Sequence, residues 1–546
     1  MIKSDVKISS GVLTALLWLV LLAVALYARP LLPMDETRYL AVAWDMWLDG
    51  NYLVPHLNGN AYSDKPPLLF WLMNAGWWIF GVNEWWPRLV APFFGLGSLY
   101  LTARLARELW PGERLIRETV PLILFAGLFW TLFTTLTMFD MMLALFTLLG
   151  ILGIVKTWRT GVLSGWVMLA LAIGLGALAK GPAILLHLLP VALSAPWWGP
   201  KLSQTPERPL ISWQQWYLRL FGAVVAGTVI GLLWAVPAGI SGGESYRNAI
   251  FWGQSAGRIV NSFAHQRGWW WYLSIVPVML LPWTIWPPFW RVLRRRQTGF
   301  MDGGVRLCVV WFASAFIVFS LISGKQPHYL LPEFPVLALV IARGVFSRRV
   351  AEGVRQRDGF LPALMAVVFV VAAFVIPVLT LSERLRGMVD LVNPLWMLVV
   401  LVPAAGLVFY RFQCLKGQVM AISTLSMTLL VALHLTARPL LFAQLDVRPM
   451  AMELKKIEDQ GYPVAHFGKY HGQYHFLGRL KRPYEIVGDQ EIANWAKKNP
   501  DGRVVAQQDF VPKDPKPDFW IPFRRYVITL WDVSKVKDNI MIVKKP

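Results

Sequence analysis

Thirteen apolar stretches long enough to cross a bilayer as helices recur along the chain, at residues 11–28, 86–107, 119–136, 138–155, 162–180, 182–198, 218–240, 271–290, 305–323, 328–346, 360–381, 393–411 and 417–440. Backbone polar groups in lipid must pair internally, so segments of this kind leave an all-α polytopic bundle as the fold. Composition agrees: 56% hydrophobic residues, a mean hydropathy of +0.48 and 29 Trp in 546 residues exceed what a soluble globule can hide. Pro67 to Gly81 is too short to span and ends in Gly-Trp-Trp, which suits a helix lying in the interface. The first span follows Lys3 and Lys7 and lacks a small-residue cleavage site, which predicts a retained anchor. Cys308 and Cys414 lie in or beside apolar spans, where neither a structural disulfide nor a cysteine metal site is expected.

The Lys/Arg clusters fix an expected orientation. With the amino terminus inside, Arg104 to Arg117, Lys156/Arg159, Lys201/Arg208, Arg291 to Arg296, Arg343 to Arg357 and Arg411/Lys416 all fall in cytoplasmic loops. The carboxyl-terminal tail is then external, with the loops 29–85, 137–140, 241–270, 324–327 and 382–392. Most of the formal net charge of +21 is therefore topogenic and calls for no nucleic acid. Arg29, Arg38, Lys65, Lys180, Arg258, Arg267 and Lys325 are different, because they fall on the side where topology asks for few cations. Several stand at span ends, where they can converge on a cavity at the outer surface. Arg binds phosphate bidentately and Lys binds it as a point charge, so such a cluster suits a lipid phosphate.

Residues 1–445 are read as the membrane domain and residues 446–546 as a small external α/β domain. Strands are predicted near 463–467, 484–487, 503–507, 525–530 and 540–543, with helices near 450–460 and 491–498. The segment Lys469 to His475, rich in His and Tyr, invites a metal or sugar reading but is assigned to surface and loop chemistry. No internal repeat stands out.

The acidic candidates lie at the outer ends of spans. Asp35 and Glu36 follow the first one, and either can cap the amphipathic helix expected from Thr37 to Leu48. Asp35 is favoured for function and Glu36 is balanced between capping and substrate binding. Asp140, alone between two apolar spans, is either a turn residue or functional. Asp64-Lys65 precedes two prolines and reads as a surface ion pair or a site. Lys180 can simply snorkel to the interface. Tyr39, Tyr62 and Tyr329 accompany these charges, and His265 stands in a loop beside Arg267.

Five blocks carry a resemblance: Asp35-Glu36-Thr37-Arg38-Tyr39; Val54-Pro55-His56-Leu57 with Lys65-Pro66; Lys180-Gly181; Ala264-His265-Gln266-Arg267 with Trp271-Tyr272; and Gly324-Lys325 with Pro327 and Tyr329. In order and spacing they resemble the lipid-linked sugar transferases of the GT-C class, particularly the bacterial aminoarabinose transferases that modify lipid A. The resemblance runs from Asp35 to about Pro335 and only loosely into the tail, through Tyr residues and Arg479. It implies a catalytic Asp35 with a second carboxylate at Asp140. It also implies lipid-phosphate binding by Lys65, Lys180, Arg258 and Lys325, with Arg38, Tyr39 and Tyr329 lining the same cavity. Glu36, Tyr62 and Arg267 join them as substrate-binding candidates. A divalent metal shared by Asp64 and His265 is implied too, although the family usually shows Glu where Asp64 stands, and Lys65-Pro66-Pro67 departs slightly from the aminoarabinose pattern.

The implied reaction takes a sugar, such as 4-amino-4-deoxy-L-arabinose, from a polyprenyl phosphate in the bacterial inner membrane. Lys and Arg stabilise the departing phosphate, and direct displacement inverts the anomeric carbon. A hydroxyl acceptor needs a carboxylate base, whereas an acceptor phosphate such as that of lipid A does not. The alternatives are a protein O-mannosyltransferase-like acceptor and, in another class, a transporter or flippase of anionic lipids. The second lacks support from inverted repeats or from charges deep in several spans.

Overall fold

The computed structural model describes residues 9–202, 211–257, 266–294, 301–346, 355–379, 383–536 and 543. Among them, nine helices are long and apolar enough to cross a membrane, and eleven if each of two bent pairs counts as one span. The thirteen apolar stretches map onto these eleven plus two broken ones. Residues 119–136 form α5 (Arg114–Ala126) and α6 (Leu128–Thr134), bent by 75° at Gly127, where the Leu128 N–H turns to the Leu281 carbonyl at 3.0 Å. Residues 182–198 form α9 (Ala183–Leu193) and α10 (Ala195–Leu202), bent by 59°. The 271–290 stretch is divided around Pro277 and Pro282, and residues 394–409 form a shorter apolar helix. At Pro282 proline withdraws a donor and crowds the preceding turn, so the 271–290 span is interrupted where sequence hydropathy sees continuity.

Around the site the order is α1 (Ser10–Ala28), α2 (Glu36–Asp49), the hairpin β1 (His56–Leu57) and β2 (Asn60–Ala61), α3 (Leu68–Phe80) and α4 (Trp85–Leu109). The short helix α3 leaves Trp78, Ile79 and Phe80 exposed, as an interfacial helix should. Next come α7 (Asp140–Thr160) and α8 (Leu163–Lys180), an antiparallel hairpin through Gly161 and Val162. Their opposing lengths bring Asp140, at the start of one, level with Lys180, at the end of the other. The two axes approach closely at Gly153, where a Cβ would stand 2.5 Å from the Gly165 carbonyl oxygen. Helix α11 (Trp213–Ser241) packs against α8 on the far side.

The carboxyl-terminal unit is a five-stranded sheet in the order β4-β3-β5-β7-β6, made of β3 (Val464–Phe467), β4 (Glu485–Val487), β5 (Arg503–Gln508), β6 (Phe519–Phe523) and β7 (Tyr526–Asp532). Strand β3 runs parallel to β4 and β5, and β7 is antiparallel to β5 and β6. The period of two sends Val505 to one face, under the helix Arg448–Asp459, and Val504 and Ala506 to the other, under Ile492–Lys498. The strand expected at 540–543 falls almost wholly outside the described residues. Strand β6 carries Pro522, which suits its edge position because the lost donor faces away from the ladder. Tyr470, Tyr474 and His475 are not surface residues: they are buried in this unit's core. Its carbonyl partner fixes the His475 tautomer, Nε2–H donating to the Arg482 carbonyl at 3.1 Å while Nδ1 accepts from the Tyr470 hydroxyl at 2.6 Å.

Candidate active site

Glu36 organises the carboxyl-terminal end of α1. It is 1% exposed, and its Oε2 accepts from the Arg29 guanidinium and from the Leu32 N–H at 2.8 Å. Oε1 accepts from the Thr137 N–H at 2.7 Å, which ties the loop before α7 to the start of α2. Arg29 also donates to the Thr135 carbonyl at 2.8 Å, and Arg88 donates to the Arg29 carbonyl at 2.8 Å. Burial alone would raise the Glu36 carboxyl, but the Arg29 charge and hydrogen bond, with Arg88 behind, hold it below the ordinary range. This knot places Phe139 edge-on to Tyr39, with centroids 4.9 Å apart, and so sets Asp140 beside α2.

A cavity of about 460 Å³ opens from this point between α8, α9 and α11. Its polar end carries Tyr39, Asp64, Lys65, Asp140, Lys180, His328 and Tyr329. Its long wall is apolar, with Ile173, Leu178, Ile184, Leu232, Trp234 and Phe251. Lys180 donates to Asp140, which is 3% exposed, and its ammonium stands 5.0 Å from the centroid of the Tyr329 ring. A nearly buried carboxylate held by an ammonium gives the polar end a fixed arrangement rather than a mobile surface pair.

Asp35 stands just outside this cavity. Its carboxylate is 54% exposed and accepts from Arg38 at 2.7 Å. Tyr39, the next residue on α2, reaches the cavity and is 3% exposed; burial keeps its phenol protonated by raising it far above its usual range. Tyr62 is buried against Phe70 near Arg38 and does not line the cavity.

Three other candidates stand elsewhere. Glu36 lies in the knot and off the cavity wall. Lys325 is 2% exposed and donates to the Arg267 and Ile322 carbonyls at 2.9 and 2.5 Å, so it joins two loops instead of facing the cavity. Arg267 is exposed and stacks on Trp271 at 3.9 Å. Arg258 and His265 lie outside the described residues.

His328 is the residue that sequence reasoning missed. It lines the cavity between Phe133 and Tyr329 and interacts electrostatically with Asp140, Lys180 and Lys65. Its position in the quoted Gly324 to Tyr329 block was the available signal. Among the described residues no group of three His, Cys, Asp or Glu side chains is placed to hold a metal ion. Of the expected metal pair, Asp64 lines the cavity and His265 lies outside the described residues.

Comparisons with known proteins agree with this architecture. Residues 64–206, which include Asp64, Lys65, Asp140 and Lys180, match the dolichyl-phosphate-mannose-protein mannosyltransferase family. The undecaprenyl phosphate-alpha-4-amino-4-deoxy-L-arabinose arabinosyl transferase of Edwardsiella ictaluri is 30% identical over 350 residues, 62% of this chain and 59% of that protein. Its Pseudomonas fluorescens counterpart, transferase 1, is 28% identical over 353 residues, 60% of this chain and 57% of that protein. The matched region thus spans less than two thirds of these relatives. The crystal structure of ArnT from Cupriavidus metallidurans bound to undecaprenyl phosphate superposes with a TM-score of 0.71 at 19% identity, covering 95% of this chain and 97% of that one. The chain is a multi-pass membrane protein with the GT-C fold, and it resembles the aminoarabinose transferases.

Proposed function

We propose that the chain is a lipid-phosphate-sugar-dependent glycosyltransferase of the bacterial inner membrane. It moves a sugar, of the 4-amino-4-deoxy-L-arabinose kind named for its relatives, from a polyprenyl phosphate to an acceptor phosphate such as that of lipid A. In this reading residues 1–445 perform the transfer and residues 446–546 form an extracytoplasmic domain. The observation that carries it is the two-ended cavity, with an apolar wall for a polyprenyl chain and Lys65 and Lys180 at the end where its phosphate would sit.

The acceptor oxygen forms a bond to the anomeric carbon as the bond from that carbon to the donor phosphate breaks. Polyprenyl phosphate leaves with the electron pair, and attack from the opposite side inverts the centre. Lys65 and Lys180 stabilise the charge growing on the departing phosphate. Asp140 holds Lys180 in place. An acceptor phosphate arrives already anionic, so Asp35 positions the acceptor or the sugar amine and removes no proton.

The test uses membranes containing the protein, a labelled polyprenyl-phosphate sugar and lipid A, with products read by mass spectrometry. Asp35→Asn and Asp140→Asn proteins that insert normally are expected to lose transfer by a factor of about 100 or more. Undiminished transfer in either variant removes that carboxylate from the reaction. The family match at residues 64–206 supports a second reading, with a protein hydroxyl as acceptor. Sugar appearing on envelope proteins instead of lipid A decides for it.

A further inference from the structure

The carboxyl-terminal unit closes around the outer segment that carries Asp35. Asn58 exchanges two hydrogen bonds with Tyr484, its Nδ2 donating to the Tyr484 carbonyl at 2.9 Å and its Oδ1 accepting from the Tyr484 N–H at 2.8 Å. Trp44 donates to the Leu480 carbonyl at 2.8 Å, and Phe476 stacks on Trp77 with centroids 5.2 Å apart. Arg448 pairs with Glu84 at the start of α4. These contacts hold two pieces of the unit beside Asp35.

The first is the loop after β3. Gly472, at φ +73°, lies so close to α2 that a Cβ there would stand 2.9 Å from the Ala41 Cβ, 2.7 Å from Leu57 Cδ1 and 3.5 Å from the Arg38 Cα. Next to it, the half-buried His471 interacts electrostatically with Arg38, Lys469, Asp35 and Asp64. The second is the tip of the β6–β7 hairpin. The Arg524 N–H donates to the Gln444 carbonyl at 3.0 Å, and its guanidinium reaches the Pro33 carbonyl at 3.4 Å, two residues before Asp35. Arg525 beside it is exposed and touches the Tyr526 hydroxyl.

Charge on this rim is uneven. Arg38 answers Asp35 directly, whereas Lys469, Arg524 and Arg525 are exposed cations with no carboxylate at salt-bridge distance among the described residues. None of them lines the apolar cavity, whose polar end carries Tyr39, four residues after Asp35. The rim thus lies on the carboxyl-terminal unit and the segment carrying Asp35, apart from the cavity that the membrane helices line.

We propose that this unit carries the acceptor subsite, with Arg524 and Arg525 at the hairpin tip beside Pro33 and Lys469 and His471 in the loop against α2, binding phosphate groups of the acceptor headgroup. The inference rests on the transfer reading for its reaction, but phosphate binding on the rim stands apart from it. Guanidinium and ammonium groups on the segment next to a carboxylate suit a headgroup that offers phosphate oxygens to the cations and a hydroxyl or amine to Asp35. The donor, whose prenyl chain needs an apolar wall, is directed to the cavity between the membrane helices.

The experiment uses the full chain in nanodiscs, with bisphosphorylated lipid A as acceptor probe and undecaprenyl phosphate as donor-side probe. Arg524→Ala/Arg525→Ala and Lys469→Ala/His471→Ala are compared with Arg524→Lys/Arg525→Lys. Both alanine pairs are expected to raise the KM for lipid A about tenfold or more, with kcat at saturation and undecaprenyl phosphate affinity within about twofold. The lysine pair should recover most of the loss. Unchanged KM in both alanine pairs, with transfer intact, overturns the subsite and leaves the reaction standing. Lipid A binding without any transfer by the unsubstituted protein, weakened by the alanine pairs, keeps the subsite and overturns the reaction. Weakened binding only to phosphatidylglycerol nanodiscs makes the rim a membrane-surface patch and overturns the subsite.

Discussion

Asp45, half-buried on α2, accepts from the backbone of Asn58 at 2.9 Å, beneath the junction with the carboxyl-terminal unit. Burial pushes its carboxyl up to about 7 against an ordinary value of 3.8. The folded protein then holds a proton that the unfolded chain has released, so this contribution to stability is full below 3.8 and is lost as pH rises to about 7. Melting in detergent should fall across that interval, and Asp45→Asn should flatten the fall; a parallel curve removes Asp45 as its source. Glu36 has the opposite sign. Its carboxyl is held low by Arg29, so its contribution is present above the ordinary 4.5 and is lost as pH drops through the lowered folded value. Glu36→Gln should therefore be less stable at neutral pH and lose less on acidification. Asp35 and Glu36 are adjacent letters with different surroundings, and those surroundings are supplied by Arg29, Arg88, Thr135 and Thr137. Local sequence marks both as charged and favours Asp35 for function, but it cannot show that Glu36 is buried in a knot, because the partners that decide are up to about a hundred residues away.

Among elements, α9 and the segment Pro327–Glu333 hold the polar end of the cavity from two sides, and one buried pair joins them. His187 Nδ1 and Glu333 Oε1 are 2.6 Å apart, and both side chains are fully buried. Lys180 ends α8 three residues before α9 begins, while His328 and Tyr329 belong to the other segment. Removing one member of a buried polar pair strands the other, at a cost of about 3 to 5 kcal/mol, whereas replacing both with apolar groups of similar volume is far milder. His187→Leu should lower the melting temperature sharply, and His187→Leu/Glu333→Leu should recover much of it. Equal melting of the two variants would mean that the pair does not hold the elements together. The antiparallel α7–α8 hairpin was legible in sequence as two adjacent spans, but the pairing of Asp140 with Lys180 at its open end was not, because each alone reads as a turn residue or a snorkelling cation or as part of a site. The position of Lys325 was not, because a cation at a span end looks the same whether it faces a cavity or donates to carbonyls, as it does here to Arg267 and Ile322. His328 was missed for the converse reason: only the fold turns it toward Asp140.

For the whole molecule, charge is arranged by face. At the end opposite the cavity, Arg114 and Lys416 share Glu118 at 2.5 and 2.6 Å, Arg291 grips Asp358 through two hydrogen bonds of 2.7 and 2.6 Å, and Arg343 bridges Glu113 and Asp302. Positive residues beside spans are retained on the cytoplasmic side during insertion. Hydropathy made the bundle legible, and alternating strands made the carboxyl-terminal sheet legible, but strand β6 was hidden by Pro522 and the seam between the two parts by its long-range contacts. The same charge rule now predicts a sidedness. With Cys308 and Cys414 replaced by Ser, a cysteine at Lys469 or Arg525 should react with a membrane-impermeant maleimide in spheroplasts. A cysteine at Arg114 should react only after the inner membrane is opened, and native Cys414, which is exposed, should behave like it. The reverse pattern would turn the cavity toward the cytoplasm and exclude an acceptor presented at the outer face. The expected pattern puts Asp35, the cavity mouth and the cationic rim on one side of the membrane, where a lipid-linked donor and a phosphorylated acceptor can meet without either polar headgroup crossing the apolar core.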